Sequence, residues 1–312
     1  MQNFKNQQTS IWGTIPVFLI SFVQSESRAI FCYYLQACFH ARKFLKQGKI
    51  MKIEINGINI HYHDEGKGLP VIFIHAFALN QTMWKEQVAA LKDQYRCITL
   101  DLRGFGHSDV VDEISLMDKL AGDINELMKT LAIAQAVLVG LSMGGYIAFA
   151  FYRNFPEAVR ALVLADTRAT ADSEEAKTNR LRSAEKALRE GSTAIADDTT
   201  PKLLGDTTLN HNAELVKLVH SIQASNPPAG IAAAQRGMAA RVDSTDILSQ
   251  INCPVLLIVG SEDKLTPLAE AEVMHKGIGN SKLLVIDNAG HLSNMEAPDE
   301  FNQAVRGFLE SL

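Results

Sequence analysis

The chain has 312 residues, of which 47% are hydrophobic and 21% charged, and its formal net charge is −5. That length buries one large core or two modest ones, and the composition is that of an ordinary globular protein rather than a disordered or fibrous one. The negative balance, with no dense basic stripe after residue 51, argues against a nucleic-acid partner.

Residues 1–50 differ in character from the rest of the chain. The apolar run Ile11–Val23 is shorter than the roughly 18 residues of a spanning helix, and it contains Gly13 and Pro16. Gln24-Ser25-Glu26-Ser27-Arg28 comes after it where a signal peptide would carry a small-x-small cleavage site. A second apolar patch, Ala29–Phe39, leads into basic residues around Arg42, Lys43 and Lys46. Three readings stand: a membrane-surface or signal-like segment, a folded extension, and a poorly ordered leader foreign to the native chain. The third is preferred, because a complete domain begins at Met51, and membrane contact through 1–50 is not expected. Cys32, Cys38, Cys97 and Cys253 show no C-x-x-C spacing, so a reduced, cytoplasmic protein is expected.

From Met51 the residues alternate apolar with polar up to Asn56-Gly57 and again over Ile58–Asp64, which predicts a hairpin closed by a tight turn. His61 and His63 lie two apart on that second strand with no further ligand cluster nearby, so they read as exposed strand histidines and no metal is expected. Pro70–Ile74 and Tyr95–Leu100 read as buried strands. The first ends at His75-Ala76-Phe77-Ala78, with His75 read as a satisfied loop histidine. The second ends at Asp101-Leu102-Arg103-Gly104-Phe105-Gly106, a rigid multiple turn with Asp101 and Arg103 as structural ties. Ser115–Leu131 has a helical apolar stripe with Ser115 as its cap.

Ala136–Val139 is a short apolar run that stops at Gly140-Leu141-Ser142-Met143-Gly144-Gly145, and helical spacing resumes through Ile147, Ala148 and Phe151. This pattern places Ser142 on a sharp turn between a buried parallel strand and a helix, with small residues letting strand and helix approach. The Met143 peptide N–H opens that helix beside the hydroxyl, where unpaired donors can hold a developing oxyanion. Ser142 is therefore a candidate nucleophile. Val159–Leu164 is the next strand. An all-helical insertion over 167–242 comes after it, with helices expected over 174–190, 211–224 and 226–240, and it reads as a lid. The sheet resumes over Cys253–Val259 and Lys282–Ile286, and a closing helix spans 298–312. The domain plan is thus a core of 51–166 and 243–312 with the lid between.

A serine hydroxyl needs a base, and the base needs an acid to orient it. Gly260-Ser261-Glu262-Asp263 ends one late strand and Ala289-Gly290-His291 comes after the last. With these motifs, and with Ile74-His75-Ala76-Phe77 and Asp101–Ser108, the chain resembles a lid-bearing α/β hydrolase over nearly all of 51–312. The group includes carboxylesterases, 3-oxoadipate enol-lactonases and cofactor-free haloperoxidases or perhydrolases. The resemblance implies an α/β-hydrolase fold with a mostly parallel eight-stranded sheet and helices on both faces. It also implies Ser142 as nucleophile, His291 as base, Asp263 as orienting acid, and the backbone N–H groups of Phe77 and Met143 as oxyanion hole. The family usually has glycine where Ala76 stands. Among other acids, Glu262 neighbours Asp263, Asp166 occupies a position some relatives use, though it reads better as a hinge residue at the start of the lid, and Asp287 reads as a turn residue. Arg168 reads as a lid ion pair. The activity implied is hydrolysis of a small ester or lactone through an acyl-enzyme, without metal or organic cofactor. A perhydrolase or haloperoxidase is the first alternative, and a non-catalytic small-ligand module the second.

Overall fold

The computed structural model describes residues 51–111 and 114–312; the readings of residues 1–50 lie outside the described residues. Eight strands form one sheet in the order β1-β2-β4-β3-β5-β6-β7-β8. They are β1 Met51–Ile55, β2 Ile58–Glu65, β3 Pro70–Ile74, β4 Arg96–Leu100, β5 Ala136–Leu141, β6 Val159–Ala165, β7 Val255–Gly260 and β8 Ser281–Ile286. β1 pairs antiparallel with β2, and β2 with β4; the remaining pairs are parallel. The hairpin turns where its sequence predicts, because Asn56 (φ 50°) and Gly57 (φ 76°) both adopt the left-handed backbone that a two-residue turn demands.

Residues of the central strands alternate between two cores, as the period of a strand requires. Ile72, Ile74, Ile98 and Leu138 face one core, and Val71, Phe73, Cys97, Val137 and Val139 face the other. Helices α2 (Met117–Thr130) and α3 (Met143–Asn154) cover the first face, and α1 (Lys85–Leu91) covers the second. The closing helix α11, Pro298–Glu310, packs Phe301, Val305 and Phe308 on that second face, with Trp84 between the Phe73 and Phe301 rings. The expected cap of α2 is corrected: Leu116 occupies the cap position without a side-chain bond. Ser115 is instead buried, its N–H donating to Ala233 O.

Among the described residues, five α-helices rather than three lie between β6 and β7: α4 Glu174–Glu190, α5 Ser192–Leu203, α6 Asp206–His211, α7 Ala213–Ala224 and α8 Pro228–Ala239. The sequence hides α5 because it contains Pro201, a residue that normally breaks a helix, and lacks a clear apolar stripe. Leu268–Gly277 and Ser293–Glu296 form α9 and α10.

Chain order reverses across the sheet between β3 and β5. In open α/β sheets the loops from the carboxyl ends of neighbouring strands diverge at such a reversal, and ligands bind there. The loop after β4 is held rigid from below. Arg103, 2% exposed, makes a two-pronged ion pair with Asp123 of α2 at 2.7 and 2.8 Å. Asn56 donates to the same carboxylate. Asp101 accepts from the Gln81 and His107 N–H groups. Replacing Asp123 by Ala strands a buried guanidinium and should cost about 3–5 kcal/mol. Urea unfolding checks this, and a loss below about 1 kcal/mol would contradict the assigned burial of that pair.

Candidate active site

Ser142 sits between β5 and α3 at φ 55°, ψ −113°, a backbone region that non-glycine residues enter only under strain. The neighbours permit it. A Cβ on Gly144 would stand 2.2 Å from Ile74 O, and one on Gly140 2.3 Å from Gly144 O, so helix and strand can approach this closely only without side chains there. The turn is then tied down: Ser142 N–H donates to Ala165 O, and Ser142 O accepts from Gly145 N–H and the Thr167 hydroxyl.

The structure brings the three predicted side chains together. Ser142 Oγ lies 2.7 Å from His291 Nε2, and His291 Nδ1 lies 2.8 Å from Asp263 Oδ2. With the proton on Nδ1 donated to Asp263, Nε2 is free to accept from the serine hydroxyl. Asp263 is saturated: its Oδ1 accepts from the Leu265 and Thr266 N–H groups at 2.8 and 3.0 Å, and its Oδ2 from the Thr266 hydroxyl at 2.6 Å. His291 and Asp263 are 3% and 5% exposed.

Burial raises the Asp263 pKa, but the facing His291 and the Thr266 hydrogen bonds outweigh it, and the net displacement is downward. Burial likewise lowers the His291 pKa, yet the Asp263 charge and hydrogen bond, with the more distant Glu296 behind them, carry it above the ordinary 6.5. Carboxylate and imidazole each favour the other's charged form.

The histidine loop is held by a residue that sequence patterning does not reveal. Glu296 Oε1 accepts from the N–H groups on both sides of the histidine, Gly290 at 3.0 Å and Leu292 at 3.1 Å. Its Oε2 accepts from Gly205 N–H at 2.8 Å, and His291 N–H itself donates to Leu203 O. The turn between α5 and α6 thus forms part of the histidine's bed. Gly290 makes room for it, since a Cβ there would meet Gly205 N at 2.2 Å. Thr266, three residues after Asp263, was foreseeable as a local side-chain cap of the kind Asp and Thr make in turns.

The other acids do not reach the imidazole. Glu262 accepts from the Thr207 N–H and hydroxyl at 2.8 and 2.6 Å and so anchors the start of α6. Asp287 is an exposed turn residue. Asp166 accepts from Gly260 and Ser293 instead. Arg168 pairs with Asp172, which Arg180 and Arg241 also bind. Burial pushes Asp172 upward, but those guanidiniums pull it down to about 2. His75 is fully buried, donating from Nδ1 to Ala76 O and accepting at Nε2 from Leu102 N–H; burial depresses its pKa. It joins the loops after β3 and β4.

Phe77 lies on the loop after β3 and Met143 at the first turn of α3, on the carboxyl ends of adjacent strands. The left-handed residue of the first loop is Ala78 (φ 34°), so alanine at position 76 meets no conformational demand for glycine. Among the described residues, no group of three or more His, Cys, Asp or Glu is placed to hold a metal ion. His61 and His63 are half-buried rather than exposed on β2. No helix among the described residues is long and apolar enough to cross a membrane.

Comparison with known proteins adds a family. A family model described as the alpha/beta hydrolase fold matches residues 70–298. The chain is 32% identical over 269 residues to 3-oxoadipate enol-lactonase 1 of Acinetobacter baylyi, covering 86% of this chain and 96% of that one. Among solved structures, a thermophilic esterase from Thermogutta terrifontis superposes with a TM-score of 0.82 at 42% identity, covering 85% and 99% of the two chains. A bromoperoxidase from Bacillus anthracis gives 0.76 at 27% identity, with 84% and 100% covered.

The two buried histidines should separate in a proton NMR titration. The His291 midpoint should lie above 6.5 and fall when Asp263 is replaced by Asn, whereas His75 should titrate below 6.5. A His291 midpoint below that of His75 would contradict the described charge pairing.

Proposed function

The chain belongs to the α/β-hydrolase fold family, and we propose that it hydrolyses a small carboxylic ester or lactone through an acyl-enzyme formed on Ser142. The observation that carries this reading is the unbroken series from hydroxyl to imidazole to carboxylate, at 2.7 and 2.8 Å, on a strained turn at a helix N-terminus. The enol-lactonase and esterase relatives support the substrate class.

In this reading Ser142 Oγ attacks the substrate carbonyl carbon as its proton passes to His291 Nε2. Asp263 stays ionised, holds the Nδ1 proton and stabilises the imidazolium as it forms. The negative charge on the carbonyl oxygen is met by the Phe77 and Met143 N–H groups. One such donor in a water-poor site is worth about 3–4 kcal/mol of barrier. The C–O bond to the leaving group then breaks, with the proton from Nε2 going to the alcohol oxygen. In a lactone that alcohol stays attached to the acyl group. Water, deprotonated by His291, attacks the acyl-enzyme and releases the acid. The helices of 167–242 act as the lid: they lie against the histidine loop through Leu203 and Gly205 and against the loops after β3 and β4 through Asn226.

The bromoperoxidase relative supports a second acceptor. Hydrogen peroxide in place of water would take the acyl group from Ser142 and leave as a peracid. Comparing acyl transfer to water with transfer to peroxide measures the balance.

Ser142→Ala should lower kcat for p-nitrophenyl acetate hydrolysis by about 10⁴-fold or more while leaving the fold intact; unchanged turnover would reject Ser142 as the nucleophile, whereas a wild-type chain with no turnover would favour a non-catalytic ligand-binding role. The pH profile carries a sign. The base must be unprotonated, and its pKa is displaced upward from 6.5, so kcat/KM should rise with pH with its midpoint above 6.5. A profile flat from about pH 5 to 8 would remove histidine as the base.

A further inference from the structure

A second carboxyl group is buried beneath the proposed triad, and the mechanism above gives it no work. Asp166 comes directly after the last residue of β6, is fully buried and has φ 45°. A non-glycine residue holds that backbone only where its surroundings over-determine it. Its N–H donates to Ile258 O of β7 at 2.9 Å. Its Oδ1 accepts from the N–H of Gly260, the last residue of β7, at 2.9 Å. Its Oδ2 lies 3.3 Å from Ser293 N and 2.5 Å from Ser293 Oγ. Gly260 precedes Asp263 by three residues and Ser293 lies two residues past His291. One short, fully buried side chain therefore links the ends of three consecutive loops: its own after β6, the loop that carries the acid and the loop that carries the imidazole. It bonds neither the acid nor the imidazole.

We propose that Asp166 is a positioning residue: by holding Gly260 and Ser293 on one carboxyl group, it sets the separation of Asp263 and His291 on which proton transfer from Ser142 depends. The inference rests on the function proposed above. A hinge at the start of the insertion would not need a buried carboxyl aimed back at the sheet edge. A hydroxyl-bearing residue at 293 and a bare peptide at 260 are the partners such a bridge requires.

The bridge also has an electrostatic signature. Burial, with the Asp263 charge beside it, pushes the Asp166 pKa up to about 8, against a smaller opposing pull from His291, Ser293 and Gly260. The charged groups facing it are Asp263 from the loop after β7 and His291 from the loop after β8. Near neutral pH Asp166 is thus largely protonated, and Asp263 alone presents a full charge directly to the imidazole. Above pH 8 a second negative charge appears nearby, which favours the imidazolium formed as the hydroxyl attacks. The wild-type kcat/KM profile should therefore show a second upward step near pH 8.

The test compares Asp166→Asn, Asp166→Ala, Ser293→Ala and Ser142→Ala in the full chain, with p-nitrophenyl acetate as probe and thermal melting as the folding control. Asp166→Ala should lower kcat about 30-fold or more with KM within about threefold of wild type, since geometry at the reacting atoms changes and substrate contact does not. Asp166→Asn keeps an oxygen for Gly260 and gains an N–H for Ser293 Oγ, so it should recover kcat to within about fivefold of wild type. It should also lack the step near pH 8. Ser293→Ala, which removes one leg of the bridge, should fall between them and decides the matter should Asp166→Ala not fold. A folded Asp166→Ala with kcat within about threefold of wild type would overturn the inference. So would an Asp166→Asn variant as impaired as Asp166→Ala, because charge and not the bridge would then matter, and so would a Ser293→Ala variant indistinguishable from wild type. Ser142→Ala separates the two proposals: if it stays active, the function reading fails; if it alone is inactive, only this inference does.

Discussion

A hydrogen-bonded series of three side chains has almost no tolerance. The 2.7 Å and 2.8 Å contacts around His291 join loops from three strands, and a shift of 1 Å in any of them breaks one contact. Each loop is accordingly held by bonds that point away from the reacting atoms. The serine turn is held by Ala165 O, Thr167 and the approach of Gly144 to β3. Thr266 and its own peptide group hold the acid's turn, and Glu296 holds the histidine loop from both sides. The strain at Ser142 persists because these neighbours leave it no alternative.

The same logic bears on the helical insertion. It touches the site as a structural neighbour and not as a loose flap. Leu203 O receives the His291 N–H, Gly205 shares Glu296 with the histidine loop, and Glu262 anchors the start of α6. Farther along, the buried Asn226 side chain accepts from Gly106 N–H and donates to Ala78 O. Four loops at the carboxyl edge are thus stitched to the insertion by polar contacts, the one from Asn226 to Ala78 O buried and others part-buried. Such contacts are lost at a cost of about 1 kcal/mol or more apiece. Under the proposed reading, substrate choice resides in a roof of fixed placement near His291, and opening would fall to segments remote from residues 203–207.

Much of this was legible in the chain before any coordinates. Short apolar runs rich in β-branched residues mark the central parallel strands, because a doubly covered strand has no polar face. The Gly140–Gly145 turn is legible because only small residues let helix and strand approach so closely. Strand ends and chain order pointed to Asp263 and His291, and folding sets both side chains in series with Ser142. What stayed hidden has a common physical cause, since it depends on contacts distant in sequence. Glu296 is an ordinary acid until folding sets it beside residues 205, 290 and 292. Asp166 read as a hinge because nothing local shows Gly260 and Ser293 converging on it. Helix α5 was missed for a local reason, since Pro201 and a run of threonines argue against a helix that tertiary packing nevertheless forms.

The central claim is that one hydroxyl, activated by one imidazole, forms the covalent bond. Intact-mass spectrometry with peptide mapping, after brief exposure to a fluorophosphonate, tests it most directly. The account predicts one adduct per chain, on the peptide that carries Ser142, and its loss when His291 is replaced by Ala. An adduct on another serine, or equally fast labelling without the imidazole, would contradict it.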